Sequence, residues 1–294
     1  MYFPTAEITC HPLLPFGVAA LVSFFTSMGG VSGAFLLLPF QMSVLGYTNP
    51  SVSATNQFFN IVACPSGVFR YWREGRLLWP VALAIAGGTL PGVFIGALIR
   101  LTFLPDPQRF KVFAGIVLFY IGARMAFSLR KGGGNVRLLG SSEEKRILIQ
   151  DHSLARISFL FQGEEYSVST RALMLLSLVV GLIGGIYGIG GGAIMAPFLV
   201  GFFGIPVYVT AGATLMATTL TSVAGVLFYS LLSPLYPTMS VAPDWRLGLL
   251  IGLGGMLGMY CGARLQKFVP ALWIKYMLVL VLLGTAIRYI AHIF

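Results

Sequence analysis

Two glycine-rich segments interrupt long apolar runs, and their residue types suit the binding of an anion. The first reads SMGGVSG and the second IYGIGGG. A helix that breaks inside a membrane leaves backbone groups that need polar partners. The helix that starts after each break points free N–H groups and the positive end of its dipole into the break, where an anion is stabilised. We therefore expect a ligand at these residues: Ser27, Gly29, Gly30, Ser32, Gly33, Tyr187, Gly188, Gly190, Gly191 and Gly192.

The segment after each break carries side chains that donate hydrogen bonds. Residues four apart lie on one face of a helix, so Asn56 and Asn60 are expected to line one wall of the site with amide donors, with Gln57 beside them. Thr214 and Thr218 occupy the corresponding positions of the second segment and are expected to oppose them. Hydrogen bonding between helices is the alternative use of such side chains.

Acidic residues and histidines are missing from the apolar runs. All nine acidic residues and all three histidines fall in predicted terminal or loop segments. Cation channels and proton pumps usually place acids inside the membrane, so the sequence disfavours both classes. The cysteines Cys10, Cys64 and Cys261 are isolated, and no paired carboxylates or Ser-His-Asp set occurs. We expect no enzyme activity, no metal and no cofactor.

The composition is that of an integral membrane protein. Of the 294 residues, 57% are hydrophobic and 10% are charged, against about 25% charged in a soluble domain. About 20 apolar residues cross a bilayer. Runs near that length occupy residues 14–46, 50–69, 79–99, 110–129, 172–204, 207–232, 247–263 and 271–293. The net charge of +10 lies mostly between these runs, which indicates a multi-pass membrane protein and no nucleic-acid partner.

The chain contains two copies of one unit. An offset of 158 residues aligns Gly30 with Gly188 and Pro39 with Pro197 without a gap. Internal repeats with glycine-interrupted segments at matching positions are typical of secondary transporters, whose site lies where the repeats meet. We predict a first transmembrane repeat at 1–129, an insert at 130–171 and a second transmembrane repeat at 172–294.

The first element of each repeat is too long for one membrane crossing. A helix over 172–204 would measure about 50 Å, against a hydrocarbon layer of about 30 Å. We expect each such element, the other being 14–46, to form a hairpin of half-length helices, followed by three spanning helices. Three crossings invert the second repeat relative to the first, so the two breaks approach each other. One kinked spanning helix is the alternative.

Glycine ridges and the insert complete the expected fold. Glycines spaced by four at 88–96 and 254–262 are small-xxx-small ridges for close helix packing. Residues 157–169 alternate like two strands about a turn near Gly163. Eight Lys or Arg lie between 124 and 171, which predicts a cytoplasmic β-hairpin insert, either a linker or a partner-binding element.

The repeated motifs resemble those of the sulfite exporter TauE/SafE family, also called the four-toluene sulfonate uptake permease family. The resemblance covers both repeats and is most specific at GIYGIGGGAIMAPFL, GGTLPGVFIGALI and GGMLGMYCGARL. It implies transport of sulfite, sulfoacetate and related organosulfonates across the bacterial inner membrane. It also implies substrate contact at Gly29, Gly30, Ser32, Gly33, Gly188, Gly190, Gly191 and Gly192. The first break is poorer in glycine than the second, so the two half-sites are expected to differ.

We therefore expect a secondary transporter that exports a small sulfur-containing anion by alternating access around the two breaks. A passive anion channel and an uptake permease for the same anions remain alternatives, and so does a membrane-embedded assembly or sensing subunit. The expected partners are the anion, the lipid bilayer and a second copy of the chain in a homodimer.

Overall fold

The computed structural model describes residues 1–28, 31–130, 147–153, 155–265 and 271–291. The helices of this part are α1 (Leu13–Met28), α2 (Ala34–Ser43), α3 (Ser51–Arg73), α4 (Trp79–Thr102), α5 (Pro107–Arg130), α6 (Thr170–Tyr187), α7 (Gly191–Gly201), α8 (Val207–Leu232), α9 (Trp245–Leu265) and α10 (Ala271–Ala291), with a 3₁₀ turn at Ser233–Leu235. The strands are β1 (Tyr2–Phe3), β2 (Ile8–Thr9), β3 (Leu148–His152), β4 (Arg156–Phe161) and β5 (Glu164–Ser169). The predicted helical membrane fold with a small β insert is confirmed.

Several of these helices are long and apolar enough to cross a membrane. In the described part they are α4, α6, α9, most of α5 (Pro107–Phe127) and Tyr208–Leu235, which is most of α8 with the 3₁₀ turn. The chain is therefore a multi-pass membrane protein. α3 is equally long but more polar, and the residues of its first two turns are buried among the other helices.

Each long apolar element folds back on itself at its break. Ser177 Oγ in α6 lies 3.9 Å from Met195 Sδ in α7, whereas one continuous helix would separate these residues by about 27 Å. In the first half, a Cβ built on Gly33 would lie 2.7 Å from Ser23 Oγ of α1. Both elements are therefore helical hairpins. Their arms are unequal, since α6 has 18 residues and α7 has 11.

The two glycine ridges pack as the sequence predicts. A Cβ on the α4 ridge, at Gly88, Gly92 or Gly96, would lie 2.2 to 2.6 Å from a backbone oxygen of α6. A Cβ on the α9 ridge would lie 2.0 to 2.3 Å from a backbone oxygen of α1. Only glycine permits such close contact between helix backbones. Each half therefore supports the hairpin of the other half on its own ridge.

Corresponding helices of the two halves run in opposite directions. α3 lies against α8, with Asn60 hydrogen-bonded to Ser222 and Gln57 facing Gly225. The residue numbers rise along one helix as they fall along the other. α5 and α10 pack in the same antiparallel way. Antiparallel packing of corresponding helices is the geometry that an inverted repeat requires.

The insert contains a three-stranded antiparallel sheet in the order β3-β4-β5. The predicted turn between β4 and β5 is confirmed at Gly163, whose φ is +78°. β3 was not predicted, because its residues LIQDH are mostly exposed and lack an apolar and polar alternation. The sheet contacts the ends of the helices, since Ile147 N donates to Gly75 O and the Phe161 ring stacks on Tyr208. Residues 131–146 and 154 lie outside the described part of the insert.

Candidate functional site

The second break, between α6 and α7, has its carbonyl groups bonded by side chains of α3. Ser53 Oγ donates to Ile186 O at 3.0 Å. Asn60 Nδ2 donates to Ile189 O at 3.1 Å. Buried carbonyls that lose their helical partner need such donors. The end of α6 is therefore held by α3.

The glycines of the second break lie tightly against neighbouring helices. Gly188 ends α6 with a left-handed φ of +84°, and Gly190 precedes α7 with a φ of +70°, so both need the freedom of glycine. Gly191 N donates to Thr221 Oγ1 at 3.2 Å. A Cβ on Gly192 would lie 2.1 Å from a backbone oxygen of α8. In this conformation the predicted site glycines of the second break contact protein atoms.

The first break, between α1 and α2, keeps buried hydroxyls without partners. Ser23 Oγ and Ser32 Oγ are fully buried and form no hydrogen bond within the part of the chain that the structure describes. Gly33 precedes α2 without a side-chain cap, and α2 begins at Ala34. Ser27 Oγ instead bonds the carbonyl of Phe24 within its own helix. The predicted site residues Gly29 and Gly30 lie outside the described residues.

The two breaks lie next to each other. Tyr187 Oη, at the end of α6, donates to Phe35 O, in the first turn of α2, at 2.9 Å. Val31 of the first break and Ile189 of the second line the same apolar cavity. The cavity measures about 10 Å³, which is about the space that one water molecule needs. The predicted approach of the two breaks is therefore present in the structure.

The polar residues of α3 divide between the two breaks. Asn56 Nδ2 donates to Ala34 O of the first break at 2.9 Å, whereas Asn60 reaches the second. Gln57 lies between them in sequence and faces α8, and both of its amide atoms are buried without a partner. α3 thus joins the two breaks through backbone carbonyls. Whether these side chains also contact substrate stays a prediction.

Thr214 and Thr218 lie against the second break. Thr218 Oγ1 donates to Thr214 O, and Thr214 Oγ1 donates to Thr210 O, both within α8. A Cβ on Gly192 would meet both Thr214 O and Thr218 Oγ1. Asn60 meets Ser222, one turn beyond Thr218, so α8 and α3 enclose the second break from two sides.

Arg100 is a buried cation that sequence reasoning missed. It ends an apolar run, so its sequence position resembles that of a residue at a membrane surface. The structure buries it completely in the last turn of α4. Nε donates to Ser53 Oγ at 3.4 Å, Nη1 donates to Leu104 O, and the guanidinium lies 3.8 Å from the centre of the Phe110 ring. Nη2 has no partner.

Asp244 is a buried acid that the sequence placed in a loop. Its Oδ2 accepts from the backbone N–H groups of Thr5 and Ala6, and its Oδ1 accepts from Leu247 N in the first turn of α9. These bonds fasten the N-terminal hairpin of β1 and β2 to α9. The carboxylate therefore has a structural function.

A polar recess lies where the end of α2 meets α5 and α10. It measures about 110 Å³ and is lined by Met42, Ser43, Lys111, Arg288 and Tyr289. Ser43 Oγ donates to Tyr289 Oη at 3.0 Å. Two cations therefore line a recess at the C-terminal end of the α2 arm of the first hairpin.

Comparison with known proteins identifies the chain's relatives. The family model "Sulfite exporter TauE/SafE" matches residues 15–289. A "Probable membrane transporter protein" of Xylella fastidiosa (strain 9a5c) is 25% identical over 84% of this chain and 81% of the relative. The "Probable membrane transporter protein YunE" of Bacillus subtilis (strain 168) is 24% identical over 90% of this chain and 92% of the relative.

A third similar protein, "Probable membrane transporter protein ORF9" of a Sinorhizobium species, is 25% identical over 97% of this chain and 95% of its own length. No solved structure matches the chain. The family model covers the two hairpins, both glycine ridges and the helices between them. With these elements and this match, the chain belongs to the TauE/SafE sulfite exporter family of membrane transporters.

Proposed function

We propose that the protein exports a small sulfur-containing anion, such as sulfite or a sulfoacetate-like organosulfonate, across the bacterial inner membrane. The anion binds where the two breaks meet, and access alternates between the two sides of the membrane. The family is named for sulfite export, and the bacterial relatives reported above carry the name probable membrane transporter protein. Export of an anion from a negative cell is favoured by about 2.3 kcal/mol per charge per 100 mV.

The first break supplies the observation that supports this proposal. Ser23 and Ser32 bury hydroxyl groups without partners beside the N-terminus of α2. An unpaired buried hydroxyl costs about 1–3 kcal/mol, so a ligand that accepts hydrogen bonds offsets that cost. Sulfite and sulfonate groups offer several acceptor oxygens and a negative charge for the helix N-terminus.

Counterflow in proteoliposomes tests the proposal. Vesicles loaded with unlabelled sulfite are diluted into labelled sulfite, and we expect a transient accumulation of label that saturates with concentration. Ser32→Ala and Ser23→Ala are expected to raise the half-saturating concentration by about three- to tenfold, as the loss of one hydrogen bond implies. The matched control is Ser177→Ala, which removes a buried hydroxyl bonded within α6.

Distinct results would count against the proposal. Flux without counterflow would identify a passive channel, and accumulation of sulfoacetate from outside by intact cells would identify an uptake permease. If Ser32→Ala, Ser23→Ala and the control Ser177→Ala had equal half-saturating concentrations, the first break would not be part of the anion site. The predicted homodimer is tested separately by light scattering of the purified protein in detergent.

A further inference from the structure

Arg100 carries a charge that no described acidic residue neutralises. Its side chain is fully buried. The ion pairs of the described residues join Glu74 to Arg70 and to Arg76, and none of them includes Arg100. A buried charge without a counter-ion costs several kcal/mol. Its known partners, a hydroxyl, a carbonyl and an aromatic ring, orient a guanidinium but do not cancel its charge.

The position of Arg100 joins it to the second break. Ser53 Oγ accepts from Arg100 Nε and itself donates to Ile186 O. Ile186 lies two residues before Gly188, the first glycine of the second break. Tyr229 Oη donates to Gly185 O on the same stretch of α6. One hydroxyl therefore separates the guanidinium from the backbone of the break. Nη2 remains available for a further acceptor.

The second half has no equivalent cation. The offset that pairs Gly96 with Gly262 pairs Arg100 with Gln266. A cation at this aligned position therefore occurs in the first half only. A positive charge needed only for packing in this repeated fold would be expected in both halves.

We propose that Arg100 selects anions in this transporter, by binding an oxygen of the passing solute through Nη2. The ligand class is a small oxyanion with charge spread over several oxygens, which suits a guanidinium better than an ammonium. This inference rests on the proposed function to the extent that the transported solute is an anion. It adds the residue that recognises the charge, at a position outside both glycine-rich breaks.

The test measures anion-dependent thermal stability of the purified protein and counterflow in proteoliposomes. Sodium sulfite, thiosulfate, sulfoacetate and sulfate are titrated, with sodium acetate as a carboxylate probe. Arg100→Gln is expected to raise the half-effective sulfite concentration by roughly tenfold or more. Arg100→Lys is expected to raise it by a smaller factor, because lysine keeps the positive charge but lacks the planar pair of N–H donors of the guanidinium. The matched control Arg109→Gln removes an exposed arginine of α5 and is expected to behave as the unaltered protein.

The ligand response separates recognition from folding. Arg100→Lys serves as the folded reference if Arg100→Gln does not assemble, and each variant is first checked for a single melting transition without anion. Unchanged sulfite affinity and counterflow in folded Arg100 variants would overturn the inference while leaving the proposed function intact.

Other results separate the inference from the proposed function. An Arg100-dependent response to acetate or sulfate, with none to the sulfur anions of lower oxidation state or to sulfoacetate, would overturn the proposed substrate and support the inference. No response of the unaltered protein to any of these anions would overturn both.

Discussion

Both breaks join the two arms of a hairpin, but they differ in how their described polar groups are hydrogen-bonded. At the second break, Ser53, Asn60 and Thr221 form hydrogen bonds with the backbone groups that the interruption of the helix leaves without a helical partner. At the first break, Ser23 and Ser32 are buried without partners. Both breaks lie side by side at one cavity. Under the proposed function, this difference is a division of labour, in which the second break forms a hydrogen-bonded wall of the site and the first supplies the hydroxyl groups that bind the anion.

The comparison also separates two uses of glycine. In the second break, glycine permits positive φ angles and backbone contacts that no other residue tolerates. In the first break, Gly33 has a helical φ of −66° and faces a serine hydroxyl. Glycine therefore permits close backbone contacts at the second break, whereas Gly33 at the first break permits the close approach of a side-chain hydroxyl.

The largest expected difference comes from adding a methyl group at each break. Gly188→Ala forces a positive φ on alanine and places its Cβ 2.3 Å from Ser53 O. We expect a loss of about 3–5 kcal/mol of stability or failure to assemble. In Gly33→Ala, the new Cβ lies 2.7 Å from Ser23 Oγ, which can rotate away. The expected loss of stability is therefore less than about 1 kcal/mol. Thermal unfolding in detergent measures both. Equal costs would contradict the division between the breaks.

Removing the side chain that binds the second break is expected to have a smaller effect. Asn60→Ala leaves Ile189 O without its donor and removes the bond to Ser222. The expected loss is about 1–3 kcal/mol, the cost of one unsatisfied buried group. Thr219→Val is the control, because the Thr219 hydroxyl bonds only its own helix. A melting temperature for Asn60→Ala that matches the control would show that water or a shifted donor replaces the amide.

The smallest expected effects are equal in the two halves. Tyr71 Oη donates to Ser27 O before the first break, and Tyr229 Oη donates to Gly185 O before the second. Phenylalanine at either position removes the hydrogen bond to that carbonyl, and each change is expected to cost about 0.5–1.5 kcal/mol. Differential scanning fluorimetry of the two variants compares them directly. A difference above about 1 kcal/mol would show that the halves also diverge where their bonds correspond.

Much of the fold was predictable because glycine spacing records close backbone contacts. The ridges Gly88–Gly96 and Gly254–Gly262 indicated both the repeat and the faces that pack. The length of the apolar run over 172–204 indicated a hairpin, since no single helix of that length fits the bilayer. Strand β3 was not predicted, because a short, exposed edge strand needs no apolar face and so leaves no alternating pattern in the sequence.

The site was less predictable because hydrogen-bond satisfaction depends on the neighbouring helix. Ser32 and Ser53 are both serines near a break, yet one has no partner and the other joins α3 to α6. Ser23 carries no signal within its apolar run. Arg100 ends a run where a surface residue is the ordinary expectation, yet it is buried in contact with Phe110 of α5 and Ser53 of α3.

The exchange of hairpins between halves has a consequence for biosynthesis. α1 packs on the glycine ridge of α9, and the first glycine of that ridge is Gly254. More than about 200 residues must therefore be synthesised after α1 before that contact forms. Contacts between distant segments form slowly because the intervening chain must first be ordered. The first hairpin is therefore synthesised well before α9, and it lacks its packing partner until α9 has been made. The first hairpin therefore reaches its final packing only after most of the second half has been made.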